Sequence, residues 1–139
     1  MIRIIIAGGR DFCNYDYLSS SVLDVISGLE SRNKYSGIGK FEAGTQHKVE
    51  FISGTAAGAD RLGERFALSL NAQVHRFPAD WNTYGKSAGY IRNEQMAKFA
   101  ISQNSYGVLI AFWNGQSKGT KHMIDLAEKY GLEIYIINY

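Results

Sequence analysis

Apolar residues in this chain fall into short β-branched runs that are separated by longer segments with helical spacing. The first run, from Ile2 to Ala7, is nearly continuous and ends at Gly8 and Gly9. This pattern is typical of a strand buried on both faces of a parallel sheet, and we predict that it is the central strand. Further apolar runs predict strands at residues 49–53, 72–77, 107–112 and 133–138.

The segments between these runs have apolar residues at the spacing of an amphipathic helix. In the first of them Leu18, Val22 and Leu29 share one face, and Asn14 and Asp16 are candidate caps. Further helices are predicted from residue 59 to about 70, from 87 to 103, and after residue 120. Residues 31–48 are polar and contain several glycines, which favours a loop with room for a short hairpin.

The alternation of strands and helices predicts an α/β fold. We expect a Rossmann-like, doubly wound parallel sheet of about five strands, because right-handed crossovers place helices on both faces of such a sheet. The 139 residues are 45% hydrophobic and 20% charged, which fits one domain spanning residues 1–139.

Charge and cysteine content narrow the range of partners and locations. The net charge is only +2, so the strongly basic surface of a typical nucleic-acid-binding protein is not indicated. Cys13 is the only cysteine, which excludes an intrachain disulfide and suits a reducing compartment. No apolar stretch approaches the length of a membrane span, so we expect a cytoplasmic protein that does not bind membranes.

Four glycine-containing loops follow predicted strands, at residues 8–12, 53–60, 78–93 and 113–120. In doubly wound sheets, ligands bind beyond the carboxyl ends of the strands, where such loops converge. The segment from Ser53 to Asp60 is built almost entirely of small residues, which leave backbone N–H groups at a helix start open to an anion. The simpler interpretation of this segment is a tight turn whose glycines supply positive φ angles.

The same loops contain side chains that suit a nucleotide. Arg10 and Arg92 match phosphate oxygens, and the indoles of Trp81 and Trp113 can stack on a base. Asp60 and Glu64 could hydrogen-bond ribose hydroxyls. Structural alternatives remain open: Asp60 as a favourable charge on a helix dipole, Arg92 as a solvated helix arginine and Trp113 as a packing residue.

Several common sites are not supported by the motifs present. The turn at Gly8 and Gly9 lacks the G-x-G-x-x-G dinucleotide fingerprint, and neither glycine-rich loop ends as a P-loop does. The three histidines, His47, His75 and His122, do not have metal-ligand spacing. We therefore expect no metal and no resident cofactor.

Taken in order, these motifs resemble the YspA-type (cpYpsA-related) branch of the SLOG superfamily. The resemblance rests on the segments 7–12, 53–60, 78–96 and 112–120. It implies a Rossmann-like domain that binds a nucleotide or nucleotide-derived ligand, in a sensing or processing role. Relatives include the LONELY GUY phosphoribohydrolases, which cleave the N-glycosidic bond of nucleoside monophosphates and form dimers, and DNA-processing protein A, which binds single-stranded DNA.

The resemblance also assigns residues. Arg92 and Met96 match the R-x-x-x-M element of the phosphoribohydrolases, in which the arginine is catalytic, and Gly119-Thr120 match the G-T of their second element. That element's glutamate corresponds to Met123, so nucleotide binding is our first hypothesis, N-glycosidic hydrolysis the alternative and single-stranded DNA binding the second alternative. A homo-oligomer is also compatible with the resemblance. In the hydrolytic alternative, Asp60, Glu64 or Asp80 would supply the missing carboxylate, and Arg92 and Asp60 are the candidate catalytic pair.

The predicted ligand-binding residues come from all four loops. They are Gly8, Gly9, Arg10, Gly54, Thr55, Ala56, Gly58, Ala59, Asp60, Trp81, Arg92, Asn93, Gly115, Ser117, Gly119 and Thr120.

Overall fold

A computed structural model of the protein describes residues 1–31 and 49–139. Apart from Ser31, the predicted loop at residues 31–48 lies outside the described residues. The elements in chain order are β1 (Ile2–Gly8), α1 (Tyr15–Ser31), β2 (Val49–Ser53), α2 (Ala59–Ser69), β3 (Gln73–Arg76), α3 (Trp81–Tyr84), α4 (Ala88–Ile101), β4 (Tyr106–Trp113), α5 (Lys118–Lys129) and β5 (Glu133–Asn138). Short 3-10 turns at Gly85–Ser87 and Ser102–Asn104 flank α4.

The five strands form one parallel sheet in the order β3-β2-β1-β4-β5. The chain therefore moves outward from β1 to one edge, returns to the other side of β1 at β4, and continues to the second edge. This arrangement confirms the predicted single-domain, doubly wound fold with β1 at its centre. The order reverses between β1 and β4, which pair from Ile2 with Tyr106 to Gly8 with Phe112.

Successive side chains of β1 pack against helices on opposite faces of the sheet. Ile4 and Ile6 belong to a core cluster with residues of α1 and α2, and both isoleucines are at most 2% exposed. Ile5 belongs to a second cluster, with residues of α4 and α5. Because both faces are covered, β1 has no solvent-facing side, which explains its continuous apolar sequence.

One short helix lies where the sequence predicted a loop. Helix α3 occupies part of the segment 78–85, and the Asp80 carboxylate accepts a hydrogen bond from the Thr83 N–H at 3.1 Å, which caps its first turn. A four-residue helix has no hydrophobic period, so this difference from the prediction has a simple cause.

The buried side chain of Arg3 fixes α4 relative to the sheet. Its Nε lies 3.1 Å from Glu50 Oε1 on β2, and its Nη1 donates to the Phe99 carbonyl at the end of α4 at 2.8 Å. The guanidinium also lies over the Phe99 ring, 4.0 Å from its centroid. These contacts at the amino-terminal edge of the sheet hold the helix whose other end forms the site. Within residues 1–31 and 49–139, no helix is long and apolar enough to cross a bilayer.

Candidate functional site

A cleft of about 490 Å³ opens at the carboxyl ends of β1 and β4, where the strand order reverses. The loop after β1, the start of α2, the α3–α4 segment and the start of α5 form its walls. Eleven of the predicted ligand-binding residues line it: Gly8, Gly9, Arg10, Ala56, Asp60, Trp81, Arg92, Asn93, Ser117, Gly119 and Thr120. The structure thus brings the four glycine-containing loops together at one site.

Arg92 enters the cleft from the first turns of α4 and is held on two sides. Its Nη1 donates to the carbonyl oxygen of Gly54, and its Nε donates to Asn93 Oδ1 at 3.0 Å. Partial burial lowers the pKa of Arg92, an effect that the charge of Asp60 opposes. The arginine is therefore positioned by protein contacts before any ligand binds.

Gly54 makes room for Arg92 and Asp60. A β-carbon at residue 54 would lie 2.7 Å from Arg92 Nη1 and 2.7 Å from Asp60 Oδ2. Any side chain there would displace one of the two groups. Gly54 does not line the cleft, so the described structure gives it a role in assembling the site from within.

Asp60 is 5% exposed, lies in the first turn of α2 and lines the cleft. Its Oδ2 accepts a hydrogen bond from the Ala56 N–H at 3.1 Å. Burial raises the pKa of Asp60 to about 6, because desolvation outweighs the stabilisation of the carboxylate by the Ala56 N–H and Arg92. A carboxyl group tuned this way can exist in both protonation states near neutral pH.

The loop before α2 uses several of its amides internally. Thr55 N–H donates to Ser53 Oγ at 3.0 Å, and Ala59 N–H donates to the Gly9 carbonyl at 3.2 Å. Gly58 has φ +81°, and a β-carbon there would lie 2.3 Å from the Gly9 carbonyl oxygen. These contacts explain why Thr55, Gly58 and Ala59 do not line the cleft: they pack this loop against the one after β1.

Gly8 has a similar packing role. A β-carbon at Gly8 would lie 2.4 Å from the Phe112 carbonyl oxygen and 2.9 Å from the β-carbon of Ala59. Here the missing side chain allows β1, β4 and the start of α2 to approach one another.

The start of α5 presents hydrogen-bonding groups to the cleft. Ser117 caps the helix, and its hydroxyl lies 3.0 Å from the hydroxyl of Thr120. Asn114 Oδ1 accepts from the amides of Gln116 and Ser117 at 2.9 and 3.0 Å. Among the described residues, no acceptor contacts the amide of Gly119, which lines the cleft in the first turn of the helix. A helix start of this kind attracts anions.

Two cleft residues, Lys86 and Tyr90, were missed by the sequence reasoning. Both lie in the segment 78–93 that the sequence singled out, but an exposed lysine and tyrosine near a helix start have no distinctive pattern. Lys86 adds a third cation to Arg10 and Arg92, and Tyr90 adds a second aromatic ring to Trp81. Trp81 and Tyr90 are 51% and 47% exposed.

The Asp11 carboxylate also lines the cleft and is engaged by Tyr139. Tyr139 Oη donates to Asp11 Oδ1 at 2.6 Å, and a β-carbon at Gly9 would lie 1.7 Å from that hydroxyl. Desolvation and the contact with Asp11 raise the pKa of Tyr139 to about 12. The phenol therefore stays protonated and braces the loop after β1.

Other candidates from the sequence are used outside the cleft. Glu64 accepts a hydrogen bond from Ser53 Oγ at 2.6 Å and pairs with Arg76 Nε at 2.8 Å. The indole N–H of Trp113 donates to the Ser117 carbonyl at 3.0 Å, which supports its interpretation as a packing residue.

Two of the remaining candidates also lie away from it. Asp80 caps α3, and Gly115 lines a separate depression together with Lys118 and His122. The described residues contain no group of three or more His, Cys, Asp or Glu side chains positioned to hold a metal.

Comparison with known proteins found a relative in a bacteriophage. The chain is 33% identical over 141 aligned positions to the Gene 61 protein of Mycobacterium phage D29, and the alignment covers 96% of this chain and 94% of that protein. No family model matches the chain. No solved structure matches it either.

Proposed function

The chain belongs to the family of that phage protein, and we propose that it binds a nucleotide or a nucleotide-derived ligand in the cleft between β1 and β4. The observation that supports this most is the composition of the cleft walls. The cleft has a volume of about 490 Å³ and lies where the strand order reverses. Its walls carry three cations (Arg10, Lys86 and Arg92), two exposed aromatic rings and the start of α5. That volume lies within the range of small-molecule sites, and its location is typical of ligand sites in doubly wound sheets.

We assign the phosphate to the α5 side of the cleft. The Gly119 amide and the hydroxyls of Ser117 and Thr120 are donors there, and the helix dipole adds positive potential. Arg92, fixed by Gly54 and Asn93, would supply a charge-assisted hydrogen bond. The loop before α2 contributes less than its sequence suggests, since the amides of Thr55, Ala56 and Ala59 have protein acceptors.

We assign the base to the outer part of the cleft, where Trp81 and Tyr90 are exposed. Aromatic stacking on a base does not depend on the base's hydrogen-bonding pattern, so this contact supplies affinity for every nucleotide. The ribose would then lie between the two ends, within reach of Asp60.

The test is incubation of the purified protein with AMP, GMP, CMP, UMP, ADP-ribose and NAD, with melting temperature and released free base followed in the same samples. A bound ligand raises apparent stability by mass action. We expect stabilisation by at least one phosphate-containing compound and its loss in Arg92→Gln. Lys98→Gln is the matched control, because Lys98 lies on the same helix with an exposed side chain and, among the described residues, pairs with Glu94. Equal stabilisation of wild type and Arg92→Gln would refute the assignment of Arg92.

A second candidate function, hydrolysis of an N-glycosidic bond, is favoured by Asp60. Of the three carboxylates considered from the sequence, it alone lines the cleft, and its pKa of about 6 suits general acid or base chemistry near neutral pH. In this reaction water would add to the ribose anomeric carbon as the base leaves with a proton. Release of free base that is lost in Asp60→Asn while AMP still binds would establish the hydrolase.

Single-stranded DNA binding is the remaining alternative, and it has less support. The cleft has the volume of one small ligand, and the net charge of +2 provides little attraction for a polyanion. Binding of a labelled thymidine oligonucleotide that weakens steeply with salt would favour this alternative over the proposed function.

A further inference from the structure

The side-chain amide of Asn93 joins Arg92 to helix α5. Its Oδ1 accepts from Arg92 Nε at 3.0 Å, and its Nδ2 lies 3.3 Å from the Gly119 carbonyl and 3.2 Å from His122 Nδ1. Asn93 is 6% exposed, so its amide depends on these protein groups, rather than on solvent, for its hydrogen bonds.

The partners determine which way this amide points. A guanidinium can only donate, so the amide oxygen must face Arg92, and a carbonyl can only accept, so the amide NH₂ must face Gly119. Both requirements agree, and they leave the second N–H of Asn93 pointing at His122 Nδ1. That ring nitrogen must therefore be an unprotonated acceptor, with the proton of the neutral imidazole on Nε2.

We propose that His122 is a positioning residue for Arg92: its neutral imidazole holds Asn93, and protonation at Nδ1 frees Asn93 to turn and so removes one of the two contacts that hold the arginine, the other being the Gly54 carbonyl. An imidazolium has N–H groups at both nitrogens, so Nδ1–H would face the N–H of Asn93. Either the ring or the amide must then turn, and turning the amide breaks its bond to Arg92 Nε. The inference rests on the proposed function in one respect, because it predicts that the affinity for a phosphate ligand falls in acid.

The surroundings of His122 are compatible with such a change. From α5, Lys118, Lys121 and Asp125 lie in the same depression as the ring, and Lys121 Nζ pairs with Asp125 Oδ1 at 2.6 Å. From α4, the Tyr90 ring meets the imidazole edge-on with centroids 4.5 Å apart.

Burial of His122 lowers its pKa, while the charges of Asp125 on α5 and Glu94 on α4 act in the opposite direction. The ring remains partly exposed, so protons can reach it. Around Arg92 itself, the charged neighbours are Asp60 and Arg10.

The first experiment measures the affinity for AMP between about pH 7.5 and about pH 5, a range that spans the ordinary histidine pKa. His122→Asn places an amide oxygen near the position of Nδ1 and cannot become charged, so it should restore the contact with Asn93 at every pH. His122→Leu removes the acceptor. We expect His122→Leu to bind about tenfold more weakly at the higher pH, the effect of about one hydrogen bond.

We further expect the affinity of the wild type to fall in acid by more than that of His122→Asn. Asp60 also titrates in this range, so all comparisons are repeated in an Asp60→Asn background. His75→Asn is the control for a histidine outside the cleft, since His75 lies on the edge strand β3 and contacts Glu50. Identical pH profiles for wild type and His122→Asn, together with unchanged affinity in His122→Leu, would overturn the inference.

A second measurement does not require a ligand. In nitrogen-resolved NMR spectra, the Nδ1 signal of His122 should report an unprotonated nitrogen at neutral pH. The Arg92 Nε–H signal should then shift, and exchange faster with solvent, over the pH range in which His122 titrates. In His122→Asn this change should be absent. An Arg92 signal that ignores the titration of His122 would refute the positioning role even if AMP binds, and coupled signals would support it even if AMP does not.

Discussion

Replacing Asp60 by asparagine should make the protein more stable at neutral pH. The carboxyl group is 5% exposed, and burial raises its pKa from 3.8 to about 6. One pKa unit corresponds to about 1.4 kcal/mol, so ionising this group in the native state costs roughly 3 kcal/mol more than in the unfolded chain. Asparagine has nearly the same shape, keeps an oxygen to accept from the Ala56 N–H and never ionises.

The sign of the pH dependence follows from the two pKa values. Between about pH 4 and pH 6 the native protein holds a proton on Asp60 that the unfolded chain has lost, so the wild type loses stability as the pH rises through this range. The gain from Asp60→Asn should therefore be near zero at about pH 4 and approach roughly 3 kcal/mol above pH 6.

Urea unfolding from about pH 4 to pH 8 measures this difference directly. The control is Asp24→Asn on the outer face of α1, an exposed carboxylate whose removal should change the free energy of unfolding by less than about 0.5 kcal/mol. A variant at Asp60 that is less stable than the wild type above pH 6, or a difference that does not grow with pH, would show that Arg92 and Arg10 more than compensate for burial.

Three further substitutions test how the site is built. Gly54→Ala should weaken AMP binding at least tenfold, because a β-carbon would meet both Arg92 and Asp60 at 2.7 Å; unchanged AMP affinity in a folded variant would contradict this. Trp81→Ala should lower the affinity for every nucleotide by about 1–3 kcal/mol in calorimetry and leave inorganic phosphate unaffected, and a loss confined to one base would refute a stacking role. Glu64→Gln should destabilise the protein by about 1–3 kcal/mol in urea unfolding, because the buried Glu64 carboxylate loses its charge-assisted hydrogen bonds with Ser53 Oγ and Arg76 Nε, without altering AMP affinity; weakened binding would place Glu64 in the site after all.

The architecture was accessible from the sequence because burial on both faces leaves a strong signature. β1 and β4 are almost uninterrupted apolar runs, and only a central parallel strand requires that. The short helix α3 had no such signature, since the Asp80 cap and the packing of Trp81 near Gly89 define it.

The site was accessible only as a set of loops. The sequence does not distinguish a glycine where a ligand approaches the backbone from a glycine where another part of the chain approaches it. Both positions are glycine for the same reason, which is that a β-carbon does not fit. Gly8 and Gly58 accommodate neighbouring backbone, and Gly54 accommodates two functional side chains. The sequence did not identify Tyr90 and Lys86 as cleft residues. An exposed side chain can be assigned to a site only when the opposite wall of the cleft is known.

The contacts of Asn93 show how a residue of a predicted ligand loop can serve the cleft through contacts within the protein. Asn93 was predicted to bind a ligand as a residue of the loop at 78–93, and it lines the cleft. Its three polar contacts, however, are all made to protein groups: Arg92, Gly119 and His122. Two of these partners lie on α5 and one on α4, so this amide joins the helix that we assign to phosphate binding to the arginine that would neutralise the phosphate. Because the same amide faces His122, whose pKa burial lowers, we expect the link that orders the site to weaken only in acid.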